Sequence, residues 1–556
     1  MARKRRQPPA PRPAPAVPRP RLEILRWSAV CVASGVIWFL SCADFDIWPL
    51  AWVAMVPALF AIERASTRRR AVLFSWIVGI VANAGGFYWI TNLLVRFAHL
   101  SWPVAIFGFL LMCAYQGLTF ALFAFLLRRV REGTTLPMAL VAPVLMVACE
   151  LITPMLFPWY LAITQAWQLH VIQIADLTGP LGVSALLLMI NGALYDLATS
   201  RARRWRPAAA AAAVLVAALV YGHVRIGQAK ATAEAATKIK VGVVQGNVPF
   251  NEKGNEHPEH AKKQLDDLKR LSTELDKAGA DLIVWTETAF PWALPRNLQG
   301  EPPIGMRSSR AAGGKRDQHF TAPLIFGAIT YDVDGTGRAI DKDPYNTAYL
   351  LAPDGKYAGR FDKTFLVMFS EHIPLVETFP WIRKLLPRNS GNLTRGEGVE
   401  IFPFKTRDGT EVHAAPMICF EDIISAFSIK VGRRHPQVLV NITNDAWFGD
   451  TSEPWEHLAL AVFRSVEIRA PMVRAVNTGV SAFIDPAGEV YARSYAVDPL
   501  IEPRPADTLM AEVPLVEGGH TVYVAVGDLF GYLCAAATVF LWLVLPRLRS
   551  RYRRAA

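Results

Sequence analysis

The chain has 556 residues, 52% of them hydrophobic and only 19% charged, with a mean hydropathy of +0.24. A soluble domain carries about 25% charged residues, so composition excludes both an ordinary soluble protein and a disordered one. The formal charge of +12 suits a nucleic-acid partner on its face, but the placement of the basic residues removes that reading.

Residues 1–23 (MARKRRQPPAPRPAPAVPRPRLE) form an Arg/Lys- and Pro-rich arm, expected to be disordered and cytoplasmic. Long apolar windows follow at 24–43, 46–62, 71–95, 100–127, 134–157, 177–198 and 207–222, with an eighth at 526–546. Each approaches or exceeds the roughly 17–25 residues that cross a bilayer as a helix. The expectation is a membrane domain of seven helices at 24–222, an extramembrane domain at 223–525, a C-terminal span at 526–546 and a basic tail at 547–556. No small-residue cleavage site follows the first window, which therefore reads as an uncleaved anchor.

Arm 1–26, loops 63–70, 128–132 and 201–206, and the tail together hold 24 of the 59 basic residues. The alternate loops at 43–46, 96–101 and 158–176 hold only Arg96. The positive-inside rule then predicts cytoplasmic termini and a far-side 223–525 domain. That domain has 34 basic and 38 acidic residues, so the basic pI reports orientation and no nucleic-acid partner is expected.

Within 223–525 the apolar runs shorten. Ile239–Val244, Asp281–Trp285, Leu324–Ile329, Thr347–Leu351 and Val438–Ile442 read as buried strands. Residues 257–278 place Leu265, Leu268, Leu271 and Leu275 on one helical face. The alternation predicts a layered α/β domain. Five of the six cysteines (Cys31, Cys42, Cys113, Cys149 and Cys534) lie in or beside apolar windows, which leaves Cys419 alone in the large domain. By itself it is equally a small core residue or a nucleophile. No CxxC, HExxH or Cys/His cluster occurs, so no metal is expected.

Three stretches carry candidate chemistry. DLIVWTETAFPW puts Glu287 just after an apolar strand. GRFDKTFLVMFSEHIPL holds Lys363, with Glu371 eight residues on. APMICFEDI puts Cys419 at a strand end, followed by Phe420 and Glu421. Open α/β sheets bind ligands at such strand ends. Singly, Glu287 fits a helix cap, Lys363 a solvated turn and Cys419 a core position.

In the order Glu–Lys–Cys, with VNITNDAWFGD at 440–450, the stretches resemble the nitrilase (carbon–nitrogen hydrolase) superfamily. With seven apolar windows before the domain and one after it, the resemblance narrows to the apolipoprotein N-acyltransferase family. VGVVQGNV at 241–248, Tyr345-Asn346-Thr347, and His457 with the VFRSVEIRAPMVRAVNTGVSAFIDPAGEV that follows support it. The sequence departs from the family's habit at Thr286, often proline, at Phe420, often tyrosine, and near Gly254, where a tryptophan is common.

The resemblance implies a nitrilase-like αββα sandwich on about eight helices of a bacterial inner membrane, facing the periplasm. It implies acyl transfer from a phospholipid to the free α-amine of a diacylglyceryl-cysteine apolipoprotein, without metal or diffusible cofactor. Residue chemistry then makes Cys419 the nucleophile that forms a thioester, Glu287 its base and Lys363 the compensating cation. Glu371, Glu421 and Phe420 fit supporting roles. Asn444, Trp447, Phe448, His457 and Phe369 are pocket candidates.

Lipid substrates place the site near the outer leaflet. Segments 366–369, 374–387 and 155–167 are candidate walls, with Trp159 suited to the interface. Glu150, inside a span, is a functional candidate, or simply lies near the outer interface or bonds a neighbouring helix. Two other readings remain at this stage: a membrane-tethered amidase or nitrilase that uses water, and a transporter or scaffold with a degenerate domain.

Overall fold

The computed structural model describes residues 20–96, 98–199, 205–249, 258–296, 320–336, 338–340, 342–373, 376, 378–385, 391, 393–497, 501–502 and 504–544. Most of the basic arm, the basic tail, the loop around Gly254 and part of the 374–387 wall lie outside these residues.

Among the described residues, helices Arg21–Phe39, Trp102–Gly133, Pro180–Thr199 and Trp205–Ala235 are long and apolar enough to cross a membrane. Arg68–Gly86 and Trp89–Arg96 qualify only as a pair, bent by 60°. The bend follows a Gly85-Gly86 pair, and a Cβ on Gly86 would meet the Trp159 ring at 2.2 Å. Met138–Ile152 and Leu529–Leu543 are shorter apolar helices.

The apolar window 46–62 is not one helix. A 3₁₀ turn, Trp48–Trp52, precedes the helix Val56–Arg64. Pro57 starts the second piece and has no N–H to bond back to Val53, so the two do not fuse into one helix. Nine residues rise about 14 Å, half of a hydrocarbon core of about 30 Å. The 207–222 window errs the other way, since its helix continues to Ala235. Hydropathy falls after Gly222, but the Ala, Gln, Lys and Glu that follow are strong helix formers.

The α/β domain therefore starts at its first strand rather than at residue 223. One sheet contains β1 (Lys238–Gln245), β2 (Leu282–Trp285), the short β3 (Leu294–Pro295), β4 (Leu324–Tyr331), β5 (Tyr345–Leu351) and β6 (Tyr357–Asp362). The other contains β7 (Phe402–Lys405), β8 (Glu411–Ile418), β9 (Val438–Thr443), β10 (Met472–Val476), β11 (Gly479–Ile484) and β12 (Val490–Ala496). A last strand, β13 (Asp507–Pro514), returns to the first sheet beside β1.

The strand orders are β13-β1-β2-β4-β5-β6 and β7-β8-β9-β10-β11-β12. Both follow one pattern: an antiparallel edge strand, three parallel strands, then two antiparallel ones. All five strands expected from sequence are present, and the amphipathic helix is Pro258–Lys277.

Val241, Val243, Val284 and Ile325 of the first sheet share a core with Ala415, Met417, Val440 and Val473 of the second. Leu265, Leu268, Leu271 and Leu275 cover the outer face of the first sheet. Helices Ser425–Gly432 and Glu453–Ile468 join the core of the second. The domain is thus an αββα sandwich. Glu453–Ile468 is buried almost all round, because the short segments Leu161–Gln165, Ala175–Thr178 and Val522–Val526 pack on it from outside the sheet.

Candidate active site

Each candidate catalytic residue stands just past the end of a strand. Glu287 follows β2, Lys363 follows β6 and Cys419 follows β8. Two of the turns depart from ordinary backbone geometry: Thr288 has φ +48° and Cys419 φ +51°. A β-branched residue or a cysteine in this region costs about 1–3 kcal/mol and persists only where neighbours hold it. At the first turn the chain passes close to β4. A Cβ on Gly327 would lie 2.5 Å from the Thr288 nitrogen and 2.8 Å from the Glu287 Cα, so only glycine fits.

Lys363 is 1% exposed and sits between two carboxylates. Its Nζ donates to Glu371 Oε1 at 2.8 Å and to Glu287 Oε1 at 3.4 Å. Asn346 Nδ2 donates to Glu287 Oε1 at 2.6 Å and to Glu371 Oε1 at 3.5 Å. Glu371 Oε2 accepts from the Val367 N–H at 2.9 Å, which anchors it. Burial opposes the charge on Lys363, but Glu371 and Glu287 outweigh it and hold the ammonium form. Burial pushes the Cys419 thiol well above its usual range; Glu287 adds to the rise and Lys363 opposes it. The resting sulfur is therefore a thiol, and its activation needs a base.

Glu421 grips backbone on both sides. Its Oε2 accepts from Ile418 N–H at 2.8 Å, and its Oε1 from Thr364 N–H at 2.6 Å and Phe365 N–H at 3.1 Å. This ties the nucleophile turn to the residues just after Lys363. Burial lifts Glu421 to about 7, against those same N–H donors.

Two cavities meet at Cys419. One, of about 270 Å³, holds Glu287, Asn346, Lys363 and Glu371 on its wall, together with Asn444, Trp447 and Phe448. The other, of about 60 Å³, is lined by Phe87, Trp89, Phe157, Trp159 and Phe420. Phe157 borders both. The apolar wall is an aromatic cluster from the membrane domain, with Phe87–Trp159 centroids at 4.8 Å and Phe157–Phe420 at 6.0 Å.

Residues 34–193 match the family model described as the apolipoprotein N-acyltransferase N-terminal domain, and residues 240–498 match that of the carbon–nitrogen hydrolases. An apolipoprotein N-acyltransferase of Geobacter metallireducens is 34% identical, covering 94% of this chain and 95% of that protein. One from Bdellovibrio bacteriovorus is 30% identical over 84% and 85% respectively. The chain belongs to the apolipoprotein N-acyltransferase family.

Nit3 of Saccharomyces cerevisiae, of the nitrilase superfamily, aligns at 18% identity with a TM-score of 0.34, covering 50% of this chain and 90% of that one. The nitrilase-type fold and the acyltransferase class follow from the family, which sets aside the transporter and scaffold readings. Like its relatives, the chain is a membrane-embedded bacterial protein.

Most residues singled out from this acyltransferase's sequence come together. Glu287, Lys363, Glu371, Cys419, Asn444, Trp447 and Phe448 line one cavity, while Phe420 and His457 line the other. Phe369 does not: it is 49% exposed with φ +66° and forms no wall of either cavity. Of its segment, Val367 reaches both. Trp159 is buried rather than interfacial, packed on Trp38 at 4.6 Å and lining the apolar cavity. Glu150 is buried too: it accepts from the Leu161 N–H at 2.8 Å and stands beside Ser184 of the neighbouring helix Pro180–Thr199.

Sequence reasoning missed Asn346, Asp422, Asp445 and Arg474 as site residues. Asn346 and Arg474 each leave a signal, as a polar side chain in a fully buried strand.

Proposed function

We propose that this chain takes a fatty acyl group from a membrane phospholipid onto Cys419 and passes it to the free α-amine of the diacylglyceryl-cysteine of an apolipoprotein. Glu287 takes the thiol proton as sulfur attacks the ester carbonyl. The carbonyl–oxygen bond breaks, and Glu287 returns the proton to the departing lysophospholipid. The neutral amine then attacks the thioester, the carbon–sulfur bond breaks, an amide forms, and the proton passes through Glu287 back to sulfur. Lys363 offsets the carboxylates around the sulfur and, with a backbone N–H after Cys419, stabilises each tetrahedral oxyanion. Glu371 and Asn346 orient Lys363 and Glu287. The scheme requires no metal or diffusible cofactor.

The observation that carries this reading is the meeting at Cys419 of a charged wall from the α/β domain and an aromatic wall from the membrane domain. An acyl chain kept among those aromatic groups avoids the cost of about 0.8 kcal/mol for each CH₂ exposed to water. The loop-charge bias supports an inner-membrane placement with cytoplasmic termini and a periplasmic catalytic domain. A membrane-impermeant reagent that labels the 547–556 tail of intact cells would refute this orientation.

The enzyme is tested with phospholipid alone, followed by mass spectrometry of the Cys419 peptide. The expected product is an acylated peptide that persists. A diacylated lipopeptide with a free N-terminus should discharge it to an amide, while the N-acetylated lipopeptide should not. Equal fatty-acid release with free, blocked and absent lipopeptide would make water the second nucleophile and favour the amidase reading.

A further inference from the structure

Asp422 and Asp445 lie on two different turns. Cys419–Ile423 carries the nucleophile, and Asp445–Trp447 forms part of the cavity wall. Both carboxylates face the same two cationic side chains. His457 Nε2 lies 2.8 Å from Asp422 Oδ1, and its Nδ1 lies 3.2 Å from Asp445 Oδ1. Arg474 donates from Nη1 to Asp422 Oδ2 at 3.0 Å and from Nη2 to Asp445 Oδ2 at 3.3 Å. All four side chains are buried. His457 comes from helix Glu453–Ile468 and Arg474 from β10, so the closed ring joins four separate elements.

An imidazole donates from both nitrogens only when protonated. Burial and Arg474 favour the neutral form, but Asp422 and Asp445 outweigh them and raise His457 to about 10. Burial would raise Asp445, yet His457 and Arg474 hold it below its usual range. The ring is therefore two cations against two anions. Asp445, Glu453 and His457 offer ligand atoms within 4.8 Å of one another. Arg474 already occupies the second oxygen of Asp445, and an imidazole that donates from both nitrogens has no lone pair to offer a metal ion.

The strained Cys419 backbone needs support from more than one side. Glu421 supplies it toward Lys363, and Asn441 Nδ2 donates to the Cys419 carbonyl at 3.2 Å. The charged ring supplies the remaining side, toward Asn444 and Trp447. We propose that His457 is a positioning residue: with Arg474 it clamps the nucleophile turn, through Asp422, to the Asp445 turn and so sets where the sulfur stands relative to Glu287 and Lys363. This rests on the reading of Cys419 as the acylated nucleophile.

The test measures the rate of Cys419 acylation by phospholipid, by mass spectrometry, in wild type, His457→Gln, Asp422→Asn/His457→Gln and Val462→Ala. Val462 is buried on the same helix, outside the ring, and controls for lost stability. Absence of acylation in wild type would fail the reading of Cys419 itself, separately from the clamp. His457→Gln should acylate roughly 10–100-fold more slowly at saturating phospholipid, the scale for a misplaced reacting group, with half-saturation changed less than about threefold. The double variant restores charge balance between Arg474 and Asp445. It should regain thermal stability while staying at least about tenfold slow, and it decides the matter should the single variant fail to fold. Val462→Ala should acylate at near the wild-type rate. A double variant within about twofold of wild type, or a Val462→Ala loss as large as that of His457→Gln, overturns the clamp.

Discussion

The two walls at Cys419 are unlike in origin and in chemistry. The charged wall, Glu287, Asn346, Lys363 and Glu371, is built from strand ends of the αββα domain and locked by hydrogen bonds of 2.6–3.5 Å. The aromatic wall, Phe87, Trp89, Phe157 and Trp159, comes from a bent helix pair and a loop of the membrane domain, held by ring packing. Charge positions reacting atoms and tolerates little displacement. Aromatic surface keeps water out and tolerates more. Damage to the first wall should therefore stop chemistry, and damage to the second should change lipid affinity and leakage.

The largest effect belongs to the nucleophile at which the two walls meet. Cys419→Ser should abolish acyl-enzyme formation, because Glu287 cannot generate an alkoxide as it does a thiolate, while Cys113→Ser and Cys149→Ser retain near wild-type turnover. Intact-mass measurement after mixing with phospholipid reads this directly, and turnover by the Cys419 variant would end the thioester scheme.

Next comes the charged wall alone. Lys363→Met should lower kcat/KM about 10²–10³-fold, the usual cost of one oxyanion donor. It also removes the cation that restrains the thiol pKa. Alkylation of Cys419 by iodoacetamide at a given pH should therefore slow as well, and an unchanged alkylation rate would dissociate Lys363 from the sulfur.

A smaller effect should separate the walls. Phe157→Ala should raise KM for phospholipid and increase fatty-acid release without acceptor, each within about tenfold, with kcat for amide formation less affected. A kcat loss as large as that of Lys363→Met would erase the distinction.

The smallest effect is a slope. Burial raises Glu456 and Glu467 to about 8 and Glu421 to about 7. Each folded carboxyl thus holds a proton that the unfolded chain releases near 4.5, so this contribution is complete below that pH and is lost as pH rises toward 8. His457, raised to about 10, acts in the same direction at higher pH. The Tm in detergent should fall from pH 5 to pH 8, and Glu467→Gln should flatten the fall. A Tm that rises over this range would contradict the sign.

Legibility from sequence differed between the same two regions. Strands such as IKVGVV and VLVNI were readable because strands buried on both faces are continuously apolar. Half-exposed β6, β12 and β13 mix charges with apolar residues and show no such run. β10 hid behind Arg474, a charge that only the Asp422–Asp445 ring explains. That ring spans residues 422–474, and no local spacing links its members. The window 46–62 had the hydropathy of a span but not the backbone continuity, because Pro57 interrupts it.

The order Glu287, Lys363, Cys419, the first and last of them after a readable strand, and the apolar windows before residue 223 were properties of the sequence by itself, since hydropathy and strand-end chemistry depend on near neighbours. Which membrane residues reach the nucleophile was decided only by tertiary structure. Phe157 and Trp159, from a segment expected to form a wall, meet Phe87 and Trp89 of the bent helix pair at Cys419. Phe369 lies outside the wall, and His457 finds its ring partners on three other elements of the α/β domain. A side chain's burial and charge state depend on what packs against it across hundreds of residues, which no short pattern encodes.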